Sequence, residues 1–123
     1  MNSKLKGVFS ALITPFDNGE VDYASLEKLV DYQVQQGING LVINGTTAES
    51  PTLTSAEVKK IFSLVRAMVG IQFPLILGTG SNSTAKSVED TKKAAELGAD
   101  AALVVVPYYN KPPQRGIIQH YKS

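Results

Sequence analysis

The feature that most constrains this chain is a repeated unit: a short apolar run, then glycines and hydroxyls, then an amphipathic helical pattern. The apolar runs fall at 8–13 (Val-Phe-Ser-Ala-Leu-Ile), 40–43 (Gly-Leu-Val-Ile), 74–77 (Pro-Leu-Ile-Leu) and 101–106 (Ala-Ala-Leu-Val-Val-Val). They are apolar nearly throughout rather than alternating, which is what a parallel strand covered on both faces requires. Between them, Leu26, Leu29, Val30 and Val34 form one helical stripe, with Asp22 placed to cap its start and Gly37 to end it. Val58, Ile61, Phe62, Val65 and Val69 form a second, opened by the capping box Thr54-Ser55-Ala56-Glu57 and stopped by Gly70. A third helix is expected from about Thr84 to Leu97, closed by Gly98, with a small buried face of Ala85, Val88 and Ala95. A fourth begins with Ile117, Ile118 and Tyr121 on its apolar face and reaches Ser123 without a closing glycine.

The order is therefore βαβαβαβ followed by a helix start. Right-handed βαβ units leave two architectures, an open doubly wound sheet or half of a closed barrel. A complete (β/α)8 barrel takes about 250 residues, roughly twice the 123 present. The unfinished fourth helix favours the barrel. The expected fold is α/β, a (β/α)8 TIM barrel of which this chain covers strands 1–4 and the start of helix 4. Residues 1–123 would then be the N-terminal half of a single barrel domain, incomplete at the C-terminus.

Composition removes several kinds of chemistry. Twelve Lys and Arg against eleven Asp and Glu leave a formal charge of +1 with no basic or acidic block, so neither nucleic acid nor an anionic membrane is an expected partner. Zero cysteines exclude disulfides, thiolate catalysis and thiolate zinc sites. A single histidine, His120, leaves no His-rich metal site; on the fourth helix it reads as a surface or packing residue. No apolar run approaches the about 18 residues of a membrane span. The segment Met1–Gly7 lacks the apolar stretch of a signal peptide. A soluble, cytoplasmic chain is expected.

The chemistry-bearing residues all follow strand C-terminal ends, where parallel α/β folds build their sites. They are Thr14-Pro15-Phe16, then 45–50 (Gly-Thr-Thr-Ala-Glu-Ser), 78–84 (Gly-Thr-Gly-Ser-Asn-Ser-Thr) and 107–112 (Pro-Tyr-Tyr-Asn-Lys-Pro). Thr46 and Thr47 could serve only as helix caps. However, Pro51 and the separate capping box at Thr54 intervene, and two hydroxyls with neighbouring amides suit a small carboxylate. Gly45 would let that ligand approach the backbone. The 78–83 segment has glycines in a dinucleotide-like place, but Ser83 stands at the third glycine position and no ribose-binding acid ends the next strand. A tight turn is the simpler reading, with Ser81 and Asn82 lining the same end. Tyr108 and Tyr109, braced by Pro107 and Pro112, are equally readable as packing residues or as site phenols. Glu27, Lys28, Lys59, Lys60, Lys92 and Lys93 read as solvated helix faces.

Taken in order, the motifs at 45–50, 78–84 and 107–112 resemble those of the dihydrodipicolinate synthase / N-acetylneuraminate lyase family, with Thr14-Pro15-Phe16 and Gln114-Arg115-Gly116 also fitting. The match is closest to the branch that condenses pyruvate with aspartate-4-semialdehyde in lysine and diaminopimelate biosynthesis. The resemblance implies a barrel enzyme without a cofactor, usually a homotetramer built as a dimer of dimers. A lysine there forms a Schiff base with pyruvate, and the resulting enamine attacks the aldehyde. By that resemblance Thr47 binds the pyruvate carboxylate, Thr46 and Tyr109 belong to a proton relay, and Tyr109 reaches into a neighbouring subunit. The family's Schiff-base lysine lies beyond Ser123. Of the lysines present, only Lys111 stands at the site end, and its proline-flanked loop offers no apolar pocket to keep an amine neutral. The isolated chain is therefore expected to be inactive. Ala48 stands where the family has glycine, which alters the loop if that position needs positive φ. Lys86 replaces an acidic residue of lysine-regulated members and no histidine lies near Ser55 to Val58, which argues against feedback by lysine. The competing readings are a sialic acid lyase or 2-keto-3-deoxy sugar-acid aldolase of the same family, and a non-catalytic α/β module.

Overall fold

The structure, a computed structural model, describes residues 5–123. Met1 to Lys4, part of the segment read above for a leader, lie outside the described residues. Strands β1 (Phe9–Ala11), β4 (Gly40–Ile43), β5 (Leu75–Gly78) and β6 (Ala101–Leu103) form one sheet in that order, every neighbouring pair parallel. Helices α1 (Tyr23–Gln35), α2 (Ser55–Val69) and α3 (Thr84–Glu96) make the three crossovers, and α4 (Gln114–Lys122) follows β6. Each new strand is added on the same side of its predecessor. With right-handed crossovers, that places all three connecting helices on one face of the sheet. A doubly wound sheet would have to reverse direction at a switch point, and this one does not. The architecture is that of the first four βα units of a (β/α)8 barrel.

The central strands carry the core. Leu41, Ile43, Leu75 and Leu77 are at most 3% exposed and pack in one cluster with Leu26 and Val30 of α1, Ile61, Phe62 and Val65 of α2, and Ala94 of α3. The expected caps are present. The Asp22 carboxylate accepts from the Ser25 amide at 3.0 Å, and Thr54 and Glu57 form a reciprocal capping box. Gly37, Gly70 and Gly98 sit past the helix ends with φ of 80°, 76° and 82°. Among the described residues no helix is long and apolar enough to cross a membrane.

The edges depart from the sequence reading. Cover on both faces was expected for all four strands, yet β6 closes at Leu103 rather than Val106, and Leu103, Val105 and Val106 are exposed, as is Ile13 beyond β1. These residues lie on or beyond β1 and β6, the two strands that have a neighbour on one side only among the described residues. A second sheet, β2 (Phe16–Asp17) antiparallel to β3 (Glu20–Val21), was not anticipated. Its turn is Asn18-Gly19, with φ of 50° and 86°, the left-handed pair that a two-residue hairpin requires.

The buried face of α3 also differs. Ser87 and Ala94 are buried while Ala85 and Ala95 are exposed. Polar residues are tolerated there because the Ser87 and Thr91 hydroxyls are both hydrogen-bonded to the loop after β5. On α4, Ile118 and Tyr121 are exposed, and the buried residue is His120.

Candidate active site

The segment after β4 is shaped by two non-glycine residues in the left-handed region. Asn44, with φ of 56°, turns the chain out of the strand, and its Nδ2 donates to the Gly78 carbonyl at 2.8 Å, tying the ends of β4 and β5 together. Its Oδ1 is buried without a partner among the described residues. A 3-10 turn, Thr46–Ala48, follows Gly45, and a second, Ser50–Thr52, is entered through left-handed Glu49, φ 57°. Ala48 is thus inside a helical turn and only 2% exposed. The position that would suit glycine is Glu49, so alanine at 48 imposes no backbone strain. Thr46 and Thr47 are both exposed, and the capping of α2 is carried by Thr54.

Thr79 and Ser81 of the next segment turn inward. The Thr79 hydroxyl is 2.8 Å from that of Thr91. The Ser81 amide donates to Ser87 Oγ at 2.9 Å, and that hydroxyl donates back to the Ser81 carbonyl at 3.2 Å. These groups brace the loop on α3. The glycines serve close approach: a side chain at Gly80 would fall 2.2 Å from the Val105 nitrogen.

After β6 the chain carries Tyr108, half exposed, and Tyr109, 91% exposed with φ of 69°. The Asn110 amide donates to the Tyr108 carbonyl at 2.9 Å, and Asn110 Nδ2 donates to the Asn82 carbonyl at 3.1 Å, joining this loop to the one after β5. Lys111 is exposed on the same loop with φ of 42°.

A cleft of about 710 Å³ starts among these loops and continues along the groove between α2 and α3, where Lys59, Asp90, Lys93 and Glu96 line it. Asn44, Gly45, Thr46, Gly80, Lys86 and Tyr108 contribute to its lining. The structure therefore brings Thr46 and Tyr108 to one cavity. Thr47, on the same 3-10 turn, and Tyr109, directed outward by its left-handed backbone, are not part of that lining. The Lys86 ammonium is held by Asp90 at 2.6 Å. Asn44 is the residue the sequence reading passed over; its signal was an asparagine directly before a glycine at a strand end.

A parallel βα run with hydroxyls, a phenol and turn glycines gathered at its C-terminal end defines the class: a barrel-type α/β protein with its site in the βα loops. The model of the dihydrodipicolinate synthetase family matches residues 4–123. The 4-hydroxy-tetrahydrodipicolinate synthase of Bdellovibrio bacteriovorus is 58% identical over 118 residues, which is 96% of this chain and 40% of the relative. A monomeric dihydrodipicolinate synthase variant superposes with a TM-score of 0.93 at 48% identity, over 98% of this chain and 40% of that one. The chloride-inhibited dihydrodipicolinate synthase from Acinetobacter baumannii, crystallised with pyruvate, superposes with a TM-score of 0.92 at 47% identity, over 96% of this chain and 41% of that one. The chain spans about 40% of the length of the relatives it matches. It belongs to the dihydrodipicolinate synthetase family.

Proposed function

We propose that residues 1–123 form the N-terminal half of a single-domain 4-hydroxy-tetrahydrodipicolinate synthase, which condenses pyruvate with aspartate-4-semialdehyde in the cytoplasm for lysine and diaminopimelate synthesis. The observation that carries this reading is the Gly45–Ala48 turn at the end of central strand β4, which sets Thr46 on the rim of the cleft. The name borne by a relative 58% identical over this half supports it. A sialic acid lyase or sugar-acid aldolase is not favoured by that likeness.

In the proposed reaction the keto acid's carboxylate rests against the Thr47 hydroxyl and neighbouring amides, charge-assisted hydrogen bonds that orient it. A lysine from a later strand attacks the keto carbon, water leaves as the imine forms, and loss of a methyl proton gives the enamine. The enamine carbon bonds to the aldehyde carbon, whose oxygen takes a proton, and the semialdehyde's own amino group then adds to the imine carbon and displaces the lysine, closing the ring and freeing the enzyme. Thr46 and Tyr109 serve this traffic, because a hydroxyl both donates and accepts and can pass a proton without a cofactor. Tyr109 projects from the surface of its own chain, which suits a side chain completing the site of a neighbouring subunit in a homotetramer.

The test joins residues 1–123 to the C-terminal remainder of the Bdellovibrio relative and assays condensation. The fusion is expected to turn over, and Thr47→Val to weaken pyruvate by about 10- to 100-fold, the loss of one hydrogen bond to a charged group. A folded fusion with no turnover, or a Thr47→Val fusion that uses pyruvate unchanged, overturns the assignment.

A further inference from the structure

His120 is the buried residue of α4, 8% exposed on a helix where Ile118 and Tyr121 are about half exposed. Burying an imidazole rather than a hydrocarbon is unfavourable unless it is hydrogen-bonded. Its Nδ1 lies 2.9 Å from the Thr84 hydroxyl, at the first residue of α3. Beside this contact is an open cleft of about 240 Å³ bordered by Val88, Thr91, Val104, Tyr121 and Ser123. The α3–α4 seam thus holds one made and one unmade polar contact of the same ring, since His120 Nε2 is buried without a partner among the described residues.

The same seam controls the tyrosine loop. Tyr121, next to His120, donates from its hydroxyl to the Val104 carbonyl at 3.0 Å, the first residue after β6. Two residues before Thr84, the Asn82 carbonyl accepts from Asn110. Segment 104–113 is thus held at its start by Tyr121, in its middle by Asn110 and at its end by α4 itself. Tyr109 and Lys111 both have left-handed backbones, and Tyr109 is almost fully exposed. Strained conformers of this kind persist only where the surroundings over-determine them, and the side chain of Tyr109 contributes little packing.

We propose that His120 is a positioning residue: by its bond to Thr84 it docks α4 on α3 and so fixes the loop bearing Tyr108 and Tyr109 against the loop after β5. The consequence for catalysis rests on the proposed function above, whereas the docking itself does not.

The test is hydrogen exchange at the Asn110 side-chain amide, whose Nδ2 donates to the Asn82 carbonyl, in the 123-residue chain. His120→Phe keeps a ring and loses the bond. Thr84→Val removes the partner at an exposed site that leaves the fold in place. Each is expected to speed exchange at Asn110 about tenfold, the effect of one ordinary hydrogen bond. The double variant should be no faster than either single one, and His120→Asn, which restores a polar atom near Nδ1, should recover most of the protection. Exchange within α2 should not change. In the synthase fusion, His120→Phe should lower kcat and leave the pyruvate KM unchanged. If Thr84→Val leaves Asn110 exchange unaltered, or if the two substitutions act additively, the proposal fails. A fusion without turnover would sink the functional reading while leaving the exchange result to decide the docking.

Discussion

Arg66 in the last turn of α2 holds together the end of the sheet at which β5 and β6 begin. Its Nη1 donates to the Gly70 and Phe73 carbonyls at 3.0 and 2.7 Å, and its Nη2 to the Gly98 carbonyl and Asp100 Oδ2, both at 2.9 Å. The same Asp100 oxygen accepts from the Leu75 amide at 3.0 Å, where β5 begins. The two side chains are only 14% and 10% exposed. One guanidinium thus joins α2, β5 and the α3–β6 connection. Removing one partner of a largely buried pair costs about 3–5 kcal/mol. Water can reach the more exposed Gly70 and Gly98 carbonyls, which places Arg66→Ala near the low end, about 3 kcal/mol or roughly a hundredfold in the folding equilibrium. Arg66→Lys keeps the charge but not the planar fork that reaches four acceptors, and should lose about half as much. Urea unfolding of the 123-residue chain, followed by circular dichroism at 222 nm, measures both. Arg66→Ala and Asp100→Asn together should cost less than their sum, because each alone leaves the other's group unpaired. A loss below about 0.5 kcal/mol, within the range of an ordinary surface substitution, would show that the cluster does not hold this end.

Gly78 should tolerate no side chain, since a Cβ there would lie 2.0 Å from the Asn44 carbonyl oxygen. Gly78→Ala is expected to lower stability by about 1–3 kcal/mol and to disturb the Thr46 loop, read as a lower urea midpoint and shifted amide resonances at 44–48. The cap carboxylates predict an acid limb. The Asp22 carboxyl is held below its ordinary 3.8 by hydrogen bonds from Ser25, and the Glu57 carboxyl below its ordinary 4.5 by those from the Thr54 backbone and hydroxyl. Depressed values stabilise the fold fully above those ordinary values, and the contribution disappears as pH falls through the lower folded-state ones. A Asp22→Asn, Glu57→Gln double variant should show a shallower loss of stability below about pH 4.5 than the parent, measured by unfolding across pH.

Those features written in short-range chemistry were legible in the sequence. The Thr54–Glu57 box, Asp22 as a cap and the glycines ending three helices depend on neighbours within four residues, and the structure has all of them. The single sense of strand addition depends on which face each crossover covers, so in the sequence barrel and open sheet are weighed only by length and the unclosed fourth helix, whereas the strand order β1-β4-β5-β6 separates them. Apolarity alone does not find the face of α3, because buried Ser87 and half-buried Thr91 face inward through hydrogen bonds to a loop several residues earlier in the chain. His120, readable as a surface or a packing residue, packs, and the partner that settles this is 36 residues away. At the site, Thr46 and the tyrosine pair stood out by type and place. The role of Asn44 rests on a bond to Gly78 across 34 residues, which periodicity does not encode.

The central claim is a division of labour, in which these hydroxyls orient a keto acid and an amine from elsewhere captures it. Borohydride reduction in the presence of isotopically labelled pyruvate, followed by peptide mapping, tests this on both the 123-residue chain and the fusion. No label is expected on the chain alone, and in the fusion a single labelled lysine contributed by the C-terminal portion. Stable incorporation at Lys111, or at any other lysine within residues 1–123, would contradict it.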